Sequence, residues 1–369
     1  MNRIAVVEPQ CRGLQHAPFN AALLYTTRLA FPGARLTFAA EPAHGTAVRE
    51  LLGERAEGVE FCSPFQPVAS ELVAGMRLAR QTAAWAGGSD LLVLASTTPP
   101  LTAALGWLGS GRLPVISVFH ACVAELEFPF LTQILRNPLC MHTVARLPVA
   151  WHACHVVLGA SILQNLHRMG LCREGWASID HPILDVQPAP LPSGPLRLGL
   201  LAGFERSDQN LEQVLERVCA RTGASWVRIG RDAPDAPPLD AAEYRRRLLS
   251  CHYAVWWAEP KGYRLRASAT FLDAISAGRP LVFRANDFID ACHTSRGPIG
   301  VRVAAHAELE QTLTRIAEAG PGPELQRLSV SAAAAATSFA CEQVAPAWRE
   351  VAGRALGEKS RSPTGGPAA

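Results

Sequence analysis

Two stretches, LLVLA at residues 91–95 and VISVF at 115–119, are apolar but for Ser117, without the in-and-out alternation of a strand that faces water on one side. Strands of that composition are covered by helices on both faces, which is the habit of parallel sheets. They belong to a longer rhythm. Strand-like runs at 4–7, 35–39, 59–62, 90–95, 114–119, 155–158 and 176–179 alternate with helical periodicity at 19–29, 46–55, 68–85, 101–108 and 161–169, with one further helix expected before 155. Parallel strands joined by crossover helices follow, so the fold class is α/β.

The rhythm stops at HPILDVQPAPLPSGP, residues 181–195, whose five prolines leave too few backbone donors for a helix or strand. It restarts with strands at 196–201, 226–229, 252–257, 280–283 and 300–303, separated by helices at 210–221, 241–249 and 307–319 and one opening at Ser268. The sequence thus divides into a Rossmann-like domain over 1–185, a linker at 186–195 and a second such domain over 196–335. An Ala-rich helical stretch from 323, interrupted at Pro346, is expected to pack its later part, 336–356, on the first domain, and 357–369 reads as a disordered tail. Two doubly wound domains would bring the carboxyl ends of both sheets to a central cleft, a place suited to a two-substrate reaction.

Composition narrows the partners. With 49% hydrophobic and 18% charged residues and a net charge of +3, the chain is neither disordered nor a nucleic-acid binder by charge. Glu8 and Pro9 cut short the first apolar run, and no uninterrupted apolar stretch reaches the about 18 to 20 residues needed to span a bilayer. The ten cysteines are scattered without a C-x-x-C pair, as free thiols of a cytoplasmic protein are.

The chemistry concentrates in GYRLRASATFLDAISAGRPL, residues 262–281. Ser268 is placed to cap a helix whose apolar face is Phe271, Leu272 and Ile275, and Lys261, Arg264 and Arg266 precede its open first turn. Free amides, a helix dipole and three cations make a cradle for a phosphate. Gly278 ends the helix and Pro280 opens the next strand.

This segment and the two-domain pattern resemble the GT-B glycosyltransferases, in particular the bacterial family 4-like enzymes that use nucleotide-diphosphate sugars. The family's L-E-A-x-x-x-G-x-P-V helix corresponds to Leu272, Asp273, Ala274, Gly278, Pro280 and Leu281. Asp273 then takes the position of the carboxylate that holds the donor ribose, accepting hydrogen bonds from vicinal hydroxyls. The family's second glutamate is replaced by Leu265. The resemblance implies a diphosphate held by Tyr263, Ser268, Ala269 and Thr270 with the nearby cations, and a nucleoside against Gly230 and Arg231. Arg206 is the candidate for the cation that neutralises the leaving diphosphate. His120, after the strand at 115–119, matches the family's histidine that faces the donor sugar. In the loop after the first strand, Gly13 gives flexibility, while Glu8 and His16 are candidates for acceptor contact and acid/base work. Ser161 falls at a helix cap before the hinge, and His181 either reaches the cleft or satisfies the linker backbone.

The resemblance implies a nucleotide-sugar donor and a glycan, lipid-linked or small-molecule acceptor, as in cell-surface polysaccharide synthesis, with no resident cofactor and no metal. No D-x-D, G-x-G-x-x-G or P-loop pattern is present, and His152-Ala-Cys-His155 lacks a second ligand pair for zinc. Residues 128–139 either pack in the core or dock peripherally on the inner face of the cell membrane. Of Trp256 and Trp257, one is expected in the core and one on the cleft. Two alternatives keep the architecture: a nucleotide-sugar epimerase and a non-catalytic two-lobed binding protein.

Overall fold

A computed structural model describes residues 1–64, 72–107, 113–147, 153–201, 208–233 and 236–357. They form two compact units, one of Met1–Leu184 with Cys341–Ala369, the other of Asp185–Ala340. The predicted tail beyond Gly357, His152 and Arg206 lie outside the described residues.

The first unit is built on seven parallel strands: β1 (Arg3–Val7), β2 (Arg35–Ala39), β3 (Val59–Cys62), β4 (Leu91–Leu94), β5 (Val115–Phe119), β6 (Ala153–Val157) and β7 (Trp176–Ser178). Their order is β3-β2-β1-β4-β5-β6-β7. Leu91 to Leu94 are fully enclosed, as their unbroken apolar run requires. The order reverses between β1 and β4, and this switch point sets the residues after both strands, Glu8 and Ser96, beside each other. The connecting helices are α1 (Ala17–Ala30), α2 (Pro42–Leu52), α3 (Leu72–Trp85), α4 (Pro99–Trp107), α5 (Phe130–Arg136), α6 (Met141–Arg146) and α7 (Ala160–Arg168). The single helix expected between β5 and β6 is in fact a 3-10 turn at Ala121–Glu127 followed by α5 and α6. Pro129 and Pro138 impose the breaks, since neither can donate to a continuing helix. Gly159 precedes α7 with φ 149°, so Ser161 lies inside that helix and does not cap it.

His155 in β6 is a core residue, 6% exposed, packed edge-on against Phe119 and Trp176. Burial pushes its imidazole from the usual 6.5 down to about 4, against a weaker opposing hydrogen bond. Above 6.5 the folded and unfolded chains both hold it neutral, whereas between 6.5 and 4 only the unfolded chain takes the proton. Stability is therefore expected to fall with pH across that window, by about 3 kcal/mol in total. Denaturant titrations at neutral and mildly acidic pH check this, and His155→Phe should flatten the difference.

The second unit holds five parallel strands, β8 (Arg197–Leu201), β9 (Ser225–Ile229), β10 (Tyr253–Trp256), β11 (Leu281–Arg284) and β12 (Gly300–Val303), in the order β12-β11-β10-β8-β9. Around them lie α8 (Asp208–Thr222), α9 (Ala241–Leu249), α10 (Ala269–Ser276), α11 (Asp287–Arg296), α12 (His306–Ala319) and α13 (Pro323–Thr337). Leu198, Leu200, Val255 and Val282 of the sheet meet Leu215, Leu309 and Leu313 of the helices in one core. Sequence periodicity missed α11, whose start is marked by Asn286, its side chain accepting from the Ile289 amide at 3.0 Å.

The predicted linker has no regular helix or strand, and Arg279 holds it to the second unit. That side chain is 1% exposed and donates to the carbonyls of Ala189 and Pro190, both at 2.8 Å, and of Leu249 at 3.1 Å. Gly278, in the left-handed region at φ 68°, ends α10 so that Arg279 can turn inward.

The last helix, α14 (Cys341–Ala355), returns to the first unit against α1. It runs through Pro346, and the helical break falls at 338–340 instead of at the proline. Pro346 is on the exposed side, while Val344, Trp348 and Val351 form the buried face. Trp348 is fully enclosed, its indole donating to Thr27 Oγ1 at 3.0 Å, and that hydroxyl donates onward to the Leu23 carbonyl at 2.7 Å. Thr27→Val keeps the shape and leaves the enclosed Trp348 indole without its acceptor, while the Leu23 carbonyl keeps its helical amide, so it is expected to cost about 1–3 kcal/mol by urea denaturation.

Candidate functional site

In the first unit the carboxyl end of the sheet carries a polar network centred on Glu8. The side chain is 1% exposed. Oε1 accepts from the amides of Gln10 at 2.9 Å and Cys11 at 3.1 Å and from Ser96 Oγ, and Oε2 accepts from Asn20 Nδ2 at 3.0 Å. Asn20 Nδ2 also reaches His44 Nε2 at 2.8 Å, and His44 Nδ1 donates to the Gly13 carbonyl at 2.7 Å. Four donors on one enclosed carboxylate leave it no role as an acid or base toward a ligand. Glu8 instead fixes the loop that carries Gly13 and His16, a correction to its sequence assignment.

The loop ends at His16, which caps α1 in the left-handed region at φ 53°. Its ring meets that of His120 at 4.8 Å, and Phe19 packs edge-on against His120 at 4.4 Å and His181 at 4.9 Å. His120 and His181 thus flank one phenylalanine, and His16 lies against His120. His120 Nε2 lies 2.9 Å from the Ala95 carbonyl, which calls for a proton on that nitrogen. Burial holds His120 well below the usual imidazole range, helped by His16, and burial pushes His181 down to about 4. His16 is exposed, but the surrounding protein still lowers it, with Glu8 opposing. In its neutral form His120 can act as a base only through Nδ1.

In the second unit, β10 ends at Trp256, followed by a 3-10 turn at Pro260–Tyr263 and then α10. Ser268 caps α10, accepting from the Phe271 amide at 3.2 Å, and the Trp256 indole donates to the same hydroxyl oxygen at 3.0 Å. Ser268 is 3% exposed, and with both donors on its oxygen the hydroxyl faces inward and holds the start of α10. Ala269 is exposed and Thr270 half-buried, and the amides of this first turn have no carbonyl within the helix to bond. Leading into it, Lys261 and Arg264 are exposed, while the Arg266 guanidinium lies over the Tyr263 ring at 4.4 Å. Tyr263 in turn meets Trp256 edge-on at 4.6 Å. Trp256 and Trp257 are 2% and 7% exposed, so both belong to the interior.

Asp273 lies one turn after Ala269 on the same face of α10, and it is exposed. The Tyr244 hydroxyl, from α9, donates to its Oδ2 at 3.0 Å. Surrounding protein pushes the Asp273 carboxyl up to about 6, the hydrogen bond from Tyr244 opposes, and water reaching the exposed side chain moderates the shift. Sequence reasoning missed Tyr244, as it missed Asn20, His44 and Ser96, because no motif links Tyr244 to an aspartate 29 residues away. Arg247 anchors α9 by pairing with Asp232 at 2.7 Å and Glu243 at 2.6 Å. Gly230, at φ 108°, turns the chain out of β9, and its carbonyl accepts from the Leu239 amide at 2.9 Å. Arg231 braces that loop by donating to the Ala236 carbonyl at 2.9 Å. Among the described residues no group of three or more His, Cys, Asp or Glu is placed to hold a metal ion.

No family model and no curated protein matches the chain. Solved structures do. HepE of Anabaena, in complex with UDP and glucose, aligns at a TM-score of 0.61 and 14% identity, covering 95% of this chain and 99% of HepE. Sucrose-phosphate synthase from Thermosynechococcus elongatus aligns at 0.63 and 13%, covering 95% and 98% of the two chains. A glycosyltransferase from Rickettsia africae aligns at 0.64 and 12%, covering 98% and 99%. The fold is GT-B. Identities this low carry the architecture alone, and the GT-B fold agrees with the α/β class and the resemblance drawn from residues 262–281. In this GT-B chain the cradle and Asp273 both lie on α10 of the second unit.

Proposed function

We propose that this GT-B protein is a glycosyltransferase that moves a sugar from a nucleotide-diphosphate sugar to a glycan, lipid-linked or small-molecule acceptor in the synthesis of cell-surface polysaccharide. The observation that carries the reading is the pairing of an open helix start at Ala269 and Thr270 with an exposed carboxylate, Asp273, one turn further along the same face. Amides and a carboxylate at that spacing suit opposite ends of a nucleoside diphosphate, the diphosphate on the first and the ribose hydroxyls on the second. HepE was crystallised with UDP-glucose, and another structure of similar fold, WaaB, is a galactosyltransferase of the lipopolysaccharide outer core, which supports the same substrate class.

In this reading Lys261, Arg264 and Arg266, with Arg206, balance the charge that grows on the diphosphate as the glycosidic bond breaks. Fixed cations and amides lower the barrier because that charge is larger in the transition state than in the bound donor. Gly230 and Arg231 offer the turn after β9 to the nucleoside. His16 and His120 serve the acceptor, with the unprotonated Nδ1 of His120 able to take a proton from a hydroxyl.

Calorimetry with UDP, GDP, ADP and CDP, each free and as a sugar conjugate, tests the donor site. At least one is expected to bind, and absence of binding by all of them overturns the reading. Product analysis with a labelled donor then separates transfer from epimerisation, where the label stays on the nucleotide, and from inert binding, where nothing changes.

A further inference from the structure

Among the described residues eight large apolar side chains are exposed, and four of them, Phe128, Phe130, Leu131 and Leu135, at 58, 37, 69 and 85%, come from one short stretch around α5. None of the seven residues of α5 is buried. A helix that short needs support from its neighbours, which α6 supplies through His142 against Phe130 at 5.6 Å, and that support leaves Leu131 and Leu135 uncovered. Packing in the core, one of the two expectations for this stretch, is therefore overturned.

Charge indicates what the cover is. From Phe128 to Leu147 the sequence has no acidic residue, Arg136 and Arg146 are exposed, and the Arg146 guanidinium lies over the Phe130 ring at 5.0 Å. The preceding carboxylates, Glu125 and Glu127, are half-buried. The four apolar side chains present roughly 500 Å², well under the ~800 Å² that each partner of a stable protein complex buries. Aromatic and aliphatic groups beside arginines fit the headgroup boundary of an anionic bilayer, the rings entering the acyl region and the guanidiniums meeting lipid phosphates. We propose that α5 and its flanking residues dock this protein on an anionic lipid surface. No helix among the described residues is long and apolar enough to cross a membrane, so the contact assigned to α5 is peripheral. The proposal stands on this face alone and is independent of the nucleotide site.

Co-sedimentation with vesicles of phosphatidylcholine, and of phosphatidylcholine containing about a third phosphatidylglycerol, tests it. The protein is expected to sediment with the anionic vesicles. The double variant Leu131→Asp, Leu135→Asp is expected to bind at least ~10-fold more weakly while melting as the wild type does. Arg136→Glu, at an exposed position, is expected to weaken binding to anionic vesicles about 10-fold and serves as the deciding variant if the double variant melts early. No sedimentation of the wild type overturns the proposal, as does undiminished binding by the folded variants. A dimer in sedimentation equilibrium that Leu131→Asp, Leu135→Asp dissociates would assign the face to a second copy of the chain and overturn it equally.

Discussion

Asp273→Ala is expected to weaken binding of the preferred nucleoside diphosphate about 100-fold. Two ribose hydroxyls donating to one carboxylate form hydrogen bonds to a charged acceptor, each contributing about 1.5 kcal/mol net, and a loss of ~3 kcal/mol is that factor. Asp273→Asn keeps an oxygen for the Tyr244 hydroxyl but drops the charge, and about 10-fold is expected for it. The two variants also differ from the wild type in pH dependence. Because the Asp273 carboxyl is pushed up to about 6, the ionised acceptor is lost as pH falls through that value, and wild-type affinity should fall with it. Neither variant should show this step. Calorimetry of the three proteins at neutral and mildly acidic pH decides the matter, and equal affinities would remove Asp273 from the donor site.

Arg279→Ala is expected to destabilise the second unit by about 4 kcal/mol. Its guanidinium is enclosed and donates to the carbonyls of Ala189, Pro190, Ala277 and Leu249. Truncation leaves these acceptors without the donor and opens a void, at about 1–3 kcal/mol for each buried group left unpaired. Relief from burying a charge offsets part of this, and burial indeed lowers the guanidinium's own proton affinity. Arg279→Met fills most of the volume and isolates the hydrogen-bond contribution, so it should be destabilised less than Arg279→Ala. Guanidinium-chloride unfolding of both gives the numbers, and a cost below about 1 kcal/mol would mean the proline-rich segment is held by something else.

Sequence reading succeeded where local composition is decisive. The near-continuous apolar runs at 91–95 and 115–119 became the enclosed strands β4 and β5, and the Ser268 cap and Gly278 stop bounded α10 to within a residue. It failed where the decisive contact is distant. Nothing near Glu8 announces that Ser96, 88 residues away, and Asn20 turn toward it, so a loop brace resembles an acid/base candidate. Ser268 is legible as a cap, but only the Trp256 indole shows that its hydroxyl points inward. Tyr244 belongs to an arginine-rich helix whose pattern says surface, and its contact with Asp273 depends on how α9 and α10 are placed in one unit. In α14 the apolar face around Trp348 outweighed the proline rule, which is why the break falls elsewhere.

That α14 completes the first unit has a consequence for biosynthesis. The ribosome makes residues 185–340 before it makes the helix that covers α1, so the earlier-made unit waits with an apolar wall uncovered while the later one can already fold. A premature stop ahead of Trp348 would therefore cripple the half of the protein whose own translation had begun first.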